Sequence, residues 1–169
     1  MRKSTILLFV LCYIVSLAGC RSTGFAKNPP VNVSGCAFSY NGIAIAMNAE
    51  AAPILAALGE PESYAEQTSC AFDGLDKTYF YGSFYLTTYP KDGRDYIYRL
   101  WFADDLVSTA EGIHIGDSRS RVEEVYGSSS LSSSNAYTLT SGEAEITILI
   151  TGGVVSSVQY EAKMDTDIQ

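Results

Sequence analysis

The sequence predicts an α+β fold: two tandem repeats, each a short helix followed by an antiparallel β-meander, with the helices packed on one face of the sheets. Three observations predict it. The stretch GIHIGDSRSRVEEVYG, from Gly112 to Gly127, matches AIAMNAEAAPILAALG, from Ala44 to Gly59, at an offset of 68 positions. Ile45 and Met47 fall on Ile113 and Ile115, Ile54 on Val122, Leu58 on Tyr126, and the closing glycines coincide. Each stretch is an alternating apolar lead-in, a polar helix-start signal, a brief amphipathic helix and a glycine stop. After each comes a run of β-branched and aromatic residues, the composition that suits strands. A fixed internal offset marks a repeat architecture, and a length of 169 residues bounds the chain at one domain or two small ones.

Residues 1–19 read as a lipoprotein signal peptide. Arg2 and Lys3 form a positive n-region, residues 6–15 are apolar, and Leu17-Ala18-Gly19-Cys20 follows. The apolar run falls short of the roughly 20 residues that a spanning helix needs. The tetrapeptide resembles the bacterial lipobox, which implies that Cys20 is lipidated and becomes the mature N-terminus. Two or three acyl chains, at about 0.8 kcal/mol per buried CH₂, would anchor the chain durably. The expected location is the extracytoplasmic face of a cell membrane. Residues 20–35 supply the lipidated cysteine and a polar tether stiffened by Pro29-Pro30.

The first repeat is expected over 36–105 and the second over 106–162, with a tail at 163–169. Residues 36–40 suit an edge strand, and Asn41-Gly42 is a turn signal. The first helix is set by Pro53 near its start and Gly59 after its end, with Ile54, Leu55 and Leu58 as the buried stripe. Residues 71–77 look like a turn-rich lead-in. Strands are expected at 78–81, 84–89 and 96–102, joined through Gly82-Ser83 and Pro90-Lys91-Asp92-Gly93. The second helix is expected from about Ser118 to Tyr126, with Asp117 as N-cap and Val122, Val125 and Tyr126 inward. After a serine-rich loop at 128–134, strands follow at 136–140, 143–151 and 154–160. Cys36 and Cys70, the pair left once Cys12 and Cys20 are set aside, are expected to form a disulfide in an oxidising compartment. A loop of that length would contribute about 3–4 kcal/mol in the chain-entropy view.

Alternation then assigns faces. Ala144, Ile146, Ile148 and Ile150 point to the core, as do Val154, Val158 and Tyr160. The same register puts Phe84, Leu86, Thr88, Tyr96, Tyr98, Leu100 and Phe102 inside. It leaves Phe80, Tyr85, Thr87, Tyr89, Ile97, Arg99 and Trp101 outside. The second sheet would carry a polar outer face and the first an aromatic one.

The pattern G-[IV]-x-[IL]-G-x-S…V…[YL]-G, carried by Gly112, Ile113, Ile115, Gly116, Ser118, Val122, Tyr126 and Gly127 and followed by a meander, resembles the repeat of β-lactamase-inhibitor-like proteins. It is also similar to that of small outer-membrane-assembly lipoproteins. The resemblance covers about residues 42–162 and implies side-by-side sheets forming a concave, protein-gripping surface. The chain departs from the inhibitor in its lipid anchor, and has Ala44 and Asn48 where the second stretch has Gly112 and Gly116. β-Lactamase is therefore not carried over as a target.

The formal charge of −8 becomes −10 without Arg2 and Lys3. So acidic a body argues against nucleic acid and against attraction to anionic headgroups. Catalysis has thin ingredients: His114 is the only histidine and reads as a solvated strand residue, and no serine sits in a nucleophile elbow. Asp73 with Asp76, or Asp104 with Asp105, could offer oxygens to calcium, but none sits in an EF-hand pattern. Lys77 and Arg99 could instead pair with those acids. No cofactor or metal is expected. The expectation is a non-enzymatic module that binds an envelope or secreted protein through Phe80, Tyr85, Tyr89, Arg99 and Trp101, residue types enriched at binding hot spots. Two alternatives stand beside it: a small-molecule or cation site in the cleft between repeats, and a structural envelope-assembly subunit.

Overall fold

The computed structural model describes residues 36–127 and 135–164. The segments expected as signal peptide, lipidation site at Cys20 and tether, the loop expected at 128–134 and the residues beyond Met164 lie outside the described residues. Along the chain come β1 (Ala37–Tyr40), β2 (Ile43–Ala46), α1 (Ala51–Leu58), β3 (Ser63–Thr68), β4 (Leu75–Phe80), β5 (Phe84–Lys91) and β6 (Arg94–Phe102). Then follow α2 (Arg119–Tyr126), β7 (Ala136–Ser141), β8 (Ala144–Thr151) and β9 (Val154–Ala162).

The expected pair of α+β repeats is not what forms. The chain is predominantly β, and β3 to β9 make one antiparallel sheet of seven strands in the order β3-β4-β5-β6-β9-β8-β7. The join is the pairing of β6 with β9, where Arg99, Leu100 and Trp101 face Glu161, Tyr160 and Gln159. Leu100 and Tyr160 are both fully buried there, so fusing the strands covers two large side chains as well as two backbone edges. β1 and β2 pair only with each other, across the Asn41-Gly42 turn. The two matching stretches also differ in structure: residues 43–46 are a strand, whereas 112–116 are held by turns, with Ile113 N–H donating to the Thr109 hydroxyl. What they share is the helix and its glycine stop, since α1 and α2 coincide at the offset of 68 and end on Gly59 and Gly127, and the burial of Ile45 and Ile113; Val122 is buried where its counterpart Ile54 is half-buried.

Strand β3 was invisible in the sequence. Its residues, SYAEQT, are all exposed, so no apolar alternation marks it. It is an edge strand held by the full ladder to β4. Pro90, expected in a turn, lies buried in β5, and the tight turn is Asp92-Gly93 alone, with φ of 51° and 73°. Positive φ at both central positions is what a two-residue hairpin of right-handed twist requires.

Both helices are two turns long and lie against the core side of the sheet. In α1, Pro53 occupies the first turn, where an N–H would have no helical acceptor, and Gly59 ends the helix with its N–H on the Leu55 carbonyl at 3.0 Å. In α2 the cap is Ser118 and not Asp117: the Ser118 hydroxyl accepts from Arg121 N–H, while the Asp117 carboxylate accepts from His114 N–H at 2.8 Å. Val122 is its buried residue, and Val125 and Tyr126 pack beside it.

Alternation holds along β8, whose Ala144, Ile146, Ile148 and Ile150 are all buried. It fails at two bulges. Thr87 and Thr88 pair with Arg99 and Ile97, which leaves Tyr98 as the extra residue of β6 and turns Ile97 into the core in place of Tyr96. Leu149 and Ile150 pair with Ser157 and Val155, so Ser156 is extra in β9; Val155 is buried and Val154 exposed, the reverse of the expectation. Cys36 and Cys70 are free thiols in this structure. Cys36 is buried with its Sγ 4.0 Å from the Leu139 carbonyl on β7, whereas Cys70 is exposed after β3, the opposite edge in strand order.

Leu100→Ala, which opens a void where the two halves of the sheet join, is expected to lower stability by about 2–5 kcal/mol in urea denaturation followed by circular dichroism. Alkali is expected to act through the core tyrosines. Burial, then the Glu111 carboxylate that accepts from its hydroxyl at 2.6 Å, raises the Tyr126 phenol, and burial raises Tyr160. The folded state thus favours the protonated phenols, so their contribution is intact below the unfolded tyrosine value of about 10 and is lost as pH rises above it. The melting temperature should fall from about pH 10 upward, and less steeply in Tyr126→Phe.

Candidate functional site

The outer face of the sheet is set by the side chains that alternate with buried Phe84 and Leu86. Phe80, Tyr85 and Trp101 are directly opposed on β4, β5 and β6, and their rings stack: 4.5 Å between centroids for Phe80 and Tyr85, 4.9 Å at 10° for Tyr85 and Trp101. Each ring is half-buried, and α1 and α2 lie on the other face, so no described helix covers the stack. Directly opposed aromatic pairs each contribute about 0.2–1 kcal/mol beyond alanine, which favours the stacked arrangement.

Next to Trp101, Arg99 Nη2 lies 3.1 Å from Glu161 Oε2. Glu161 also accepts from Tyr98 at 2.7 Å and from Gln159 at 2.8 Å. Partial burial works against the Arg99 charge, but the Glu161 carboxylate outweighs it and holds the guanidinium ionised. Burial and the same carboxylate raise the Tyr98 phenol. Of the residues expected to make a binding face, the structure therefore brings together Phe80, Tyr85, Arg99 and Trp101. Tyr89 is separated from them: it is 6% exposed, beneath Phe72, Tyr96 and Tyr98. Lys77 and Arg99 do pair with acids, but with Asp95 at 2.6 Å and Glu161 and not with the acids of the turns.

Tyr89 belongs to a second feature, a cavity of about 810 Å³ where the end of β5 and β6 meets the β7–β8 turn and the end of β9. Asn48 ties this region together. Its amide donates at 3.1 Å to both Glu143 Oε2 and the Lys163 carbonyl, and its Oδ1 accepts from the Tyr89 hydroxyl at 3.1 Å. Its backbone N–H donates to the Ile97 carbonyl at 2.8 Å, beside the β6 bulge. Asn48 sits at φ 61°, a left-handed conformation that asparagine tolerates better than most residues. Its place opposite Gly116 in the sequence comparison was the one available signal, and it pointed to the backbone but not to the side chain's three partners.

The remaining candidates are not gathered. His114 lies in a turn and not in a strand, with Asp117 at 3.7 Å as its charged neighbour. Asp104 accepts from Leu106 N–H within its own turn. Among the described residues no three His, Cys, Asp or Glu side chains form a group able to hold a metal ion, and no described helix is long and apolar enough to cross a membrane.

No family model matches the chain, and no curated protein does. Among solved structures, an extracellular protein containing a SCP domain from Bacillus anthracis str. Ames aligns with 69% of this chain at 12% identity and a TM-score of 0.41. The alignment spans 44% of that protein, so this chain corresponds to less than half its length.

Asn48→Ala removes three hydrogen bonds and places a Cβ-only residue at positive φ. It is expected to lower stability by about 1–3 kcal/mol, and Asn48→Gly, which accepts that φ, by less. Thermal denaturation of the two variants side by side checks both the hydrogen bonding and the backbone term.

Proposed function

We propose that this protein is a lipid-anchored component of the extracytoplasmic membrane face that binds another envelope or secreted protein and catalyses no reaction. The observation that carries the reading is the Phe80–Tyr85–Trp101 stack on the outer sheet face. Tyrosine, tryptophan and arginine dominate binding hot spots because they offer large contact area with few rotatable bonds. Here that ordering is already done by ring stacking and by the Arg99–Glu161 contact, so little freedom remains to be lost on association. The acidic body opposes contact with anionic headgroups, which favours a tethered protein presenting its sheet away from the bilayer. Nothing in this reading uses a cofactor, a metal or nucleic acid.

The test is affinity capture from the native envelope with the full chain beside a Tyr85→Ala, Trp101→Ala double variant of matched thermal stability. A protein held by the unsubstituted chain and released at least about tenfold more readily by the variant is the expected result. Equal retention by both, or retention by neither, overturns the reading.

A further inference from the structure

The cavity beside Asn48 has a lining that the protein-binding reading does not use. Its volume of about 810 Å³ falls within the roughly 300–1,000 Å³ typical of small-molecule sites. One side is aromatic. Tyr89 is packed beneath its neighbours, with ring centroids 5.0 Å from Phe72 and 5.8 Å from Tyr96. Phe72 and Tyr96, half-buried against Tyr89, line the cavity with aromatic surface.

The charged part of the lining is balanced. Asp76 and Glu143 stand against Lys91 and Lys163, so the formal charges cancel. The Asp76, Lys91 and Lys163 side chains make no hydrogen bond or ion pair among the described residues, whereas Glu143 is engaged by Asn48. A purely apolar occupant would strip water from these groups and replace none of its hydrogen bonds, which is costly. An ion of either sign would meet as many like charges as opposite ones. A sugar ring satisfies both halves of the lining: its C–H face lies on an aromatic ring, and its hydroxyls both donate to carboxylates and accept from ammonium groups.

We propose that this cavity binds an uncharged oligosaccharide, with Tyr96 as the stacking platform and Asp76 and Lys91 as hydroxyl partners. The site uses residues distinct from the Phe80–Tyr85–Trp101 stack, so it stands or falls separately from the protein-binding reading.

The experiment is titration calorimetry on the full chain in a sugar-free detergent, with chitotriose, cellotriose and maltotriose as probes and trigalacturonate and adenosine as controls. At least one neutral trisaccharide is expected to bind in preference to both controls. Tyr96→Ala should weaken that binding at least about tenfold and Asp76→Asn about fivefold. Tyr96→Phe should retain it, and so should Leu149→Thr at an exposed position of β8. Intermolecular NOEs between sugar C–H protons and the Tyr96 ring test the same contact in the unsubstituted chain, whatever the fate of the variants. Absence of binding at millimolar neutral sugar, preference for either control, or binding without Tyr96 NOEs would overturn the proposal.

Discussion

Three residue pairs join the two halves of the seven-stranded sheet. The β6–β9 ladder runs only from Arg99 to Trp101 against Gln159 to Glu161, yet it is the link between β3-β4-β5-β6 and β9-β8-β7. On its inner side it buries Leu100 against Tyr160; on its outer side it sets Arg99 against Glu161. Beyond Arg99 the two strands part, and β6 takes new backbone partners instead: Ile97 exchanges hydrogen bonds with residues 48 and 49. The short ladder thus both fuses the sheet and opens the space that becomes the cavity.

The bulge at Tyr98 completes that arrangement. Without it, Tyr96 would enter the core and Ile97 would face outward. With it, Ile97 is buried and Tyr96 stands beside Tyr89 and the cavity. A bulge of this kind re-aims side chains while disrupting the ladder only locally, at the unpaired Tyr98. The outer face is consequently divided into a stacked aromatic platform at one end and a mixed aromatic and ionic recess at the other.

Much of the local structure was legible because it rests on local chemistry. Gly59, the Asn41-Gly42 turn and the strict alternation of β8 each act within a few residues, and each appears where its signal predicts. The Phe80–Tyr85–Trp101–Arg99 grouping was legible for the same reason, since it needs only antiparallel pairing and period two. What failed was long-range or count-dependent. One inserted residue at Tyr98 or Ser156 inverts every assignment beyond it, and composition does not mark either. β3 has no apolar face to announce it, and the union of β6 with β9 joins segments some sixty residues apart. The likeness of 44–59 to 112–127 extends to the helix and its glycine stop, but the strands that follow join one seven-stranded sheet and do not build two separate modules. The cavity, built from Asn48, residues 69–76, the start of β6, the β7–β8 turn and the residues after β9, exists only once that shared sheet does.

Trp101 is the one tryptophan in the sequence, and it lies flat against Tyr85 on the outer face. The chain therefore carries a native optical probe at a single defined surface point. Its emission wavelength reports the polarity over the aromatic platform, and excitation energy absorbed by neighbouring tyrosines drains towards it.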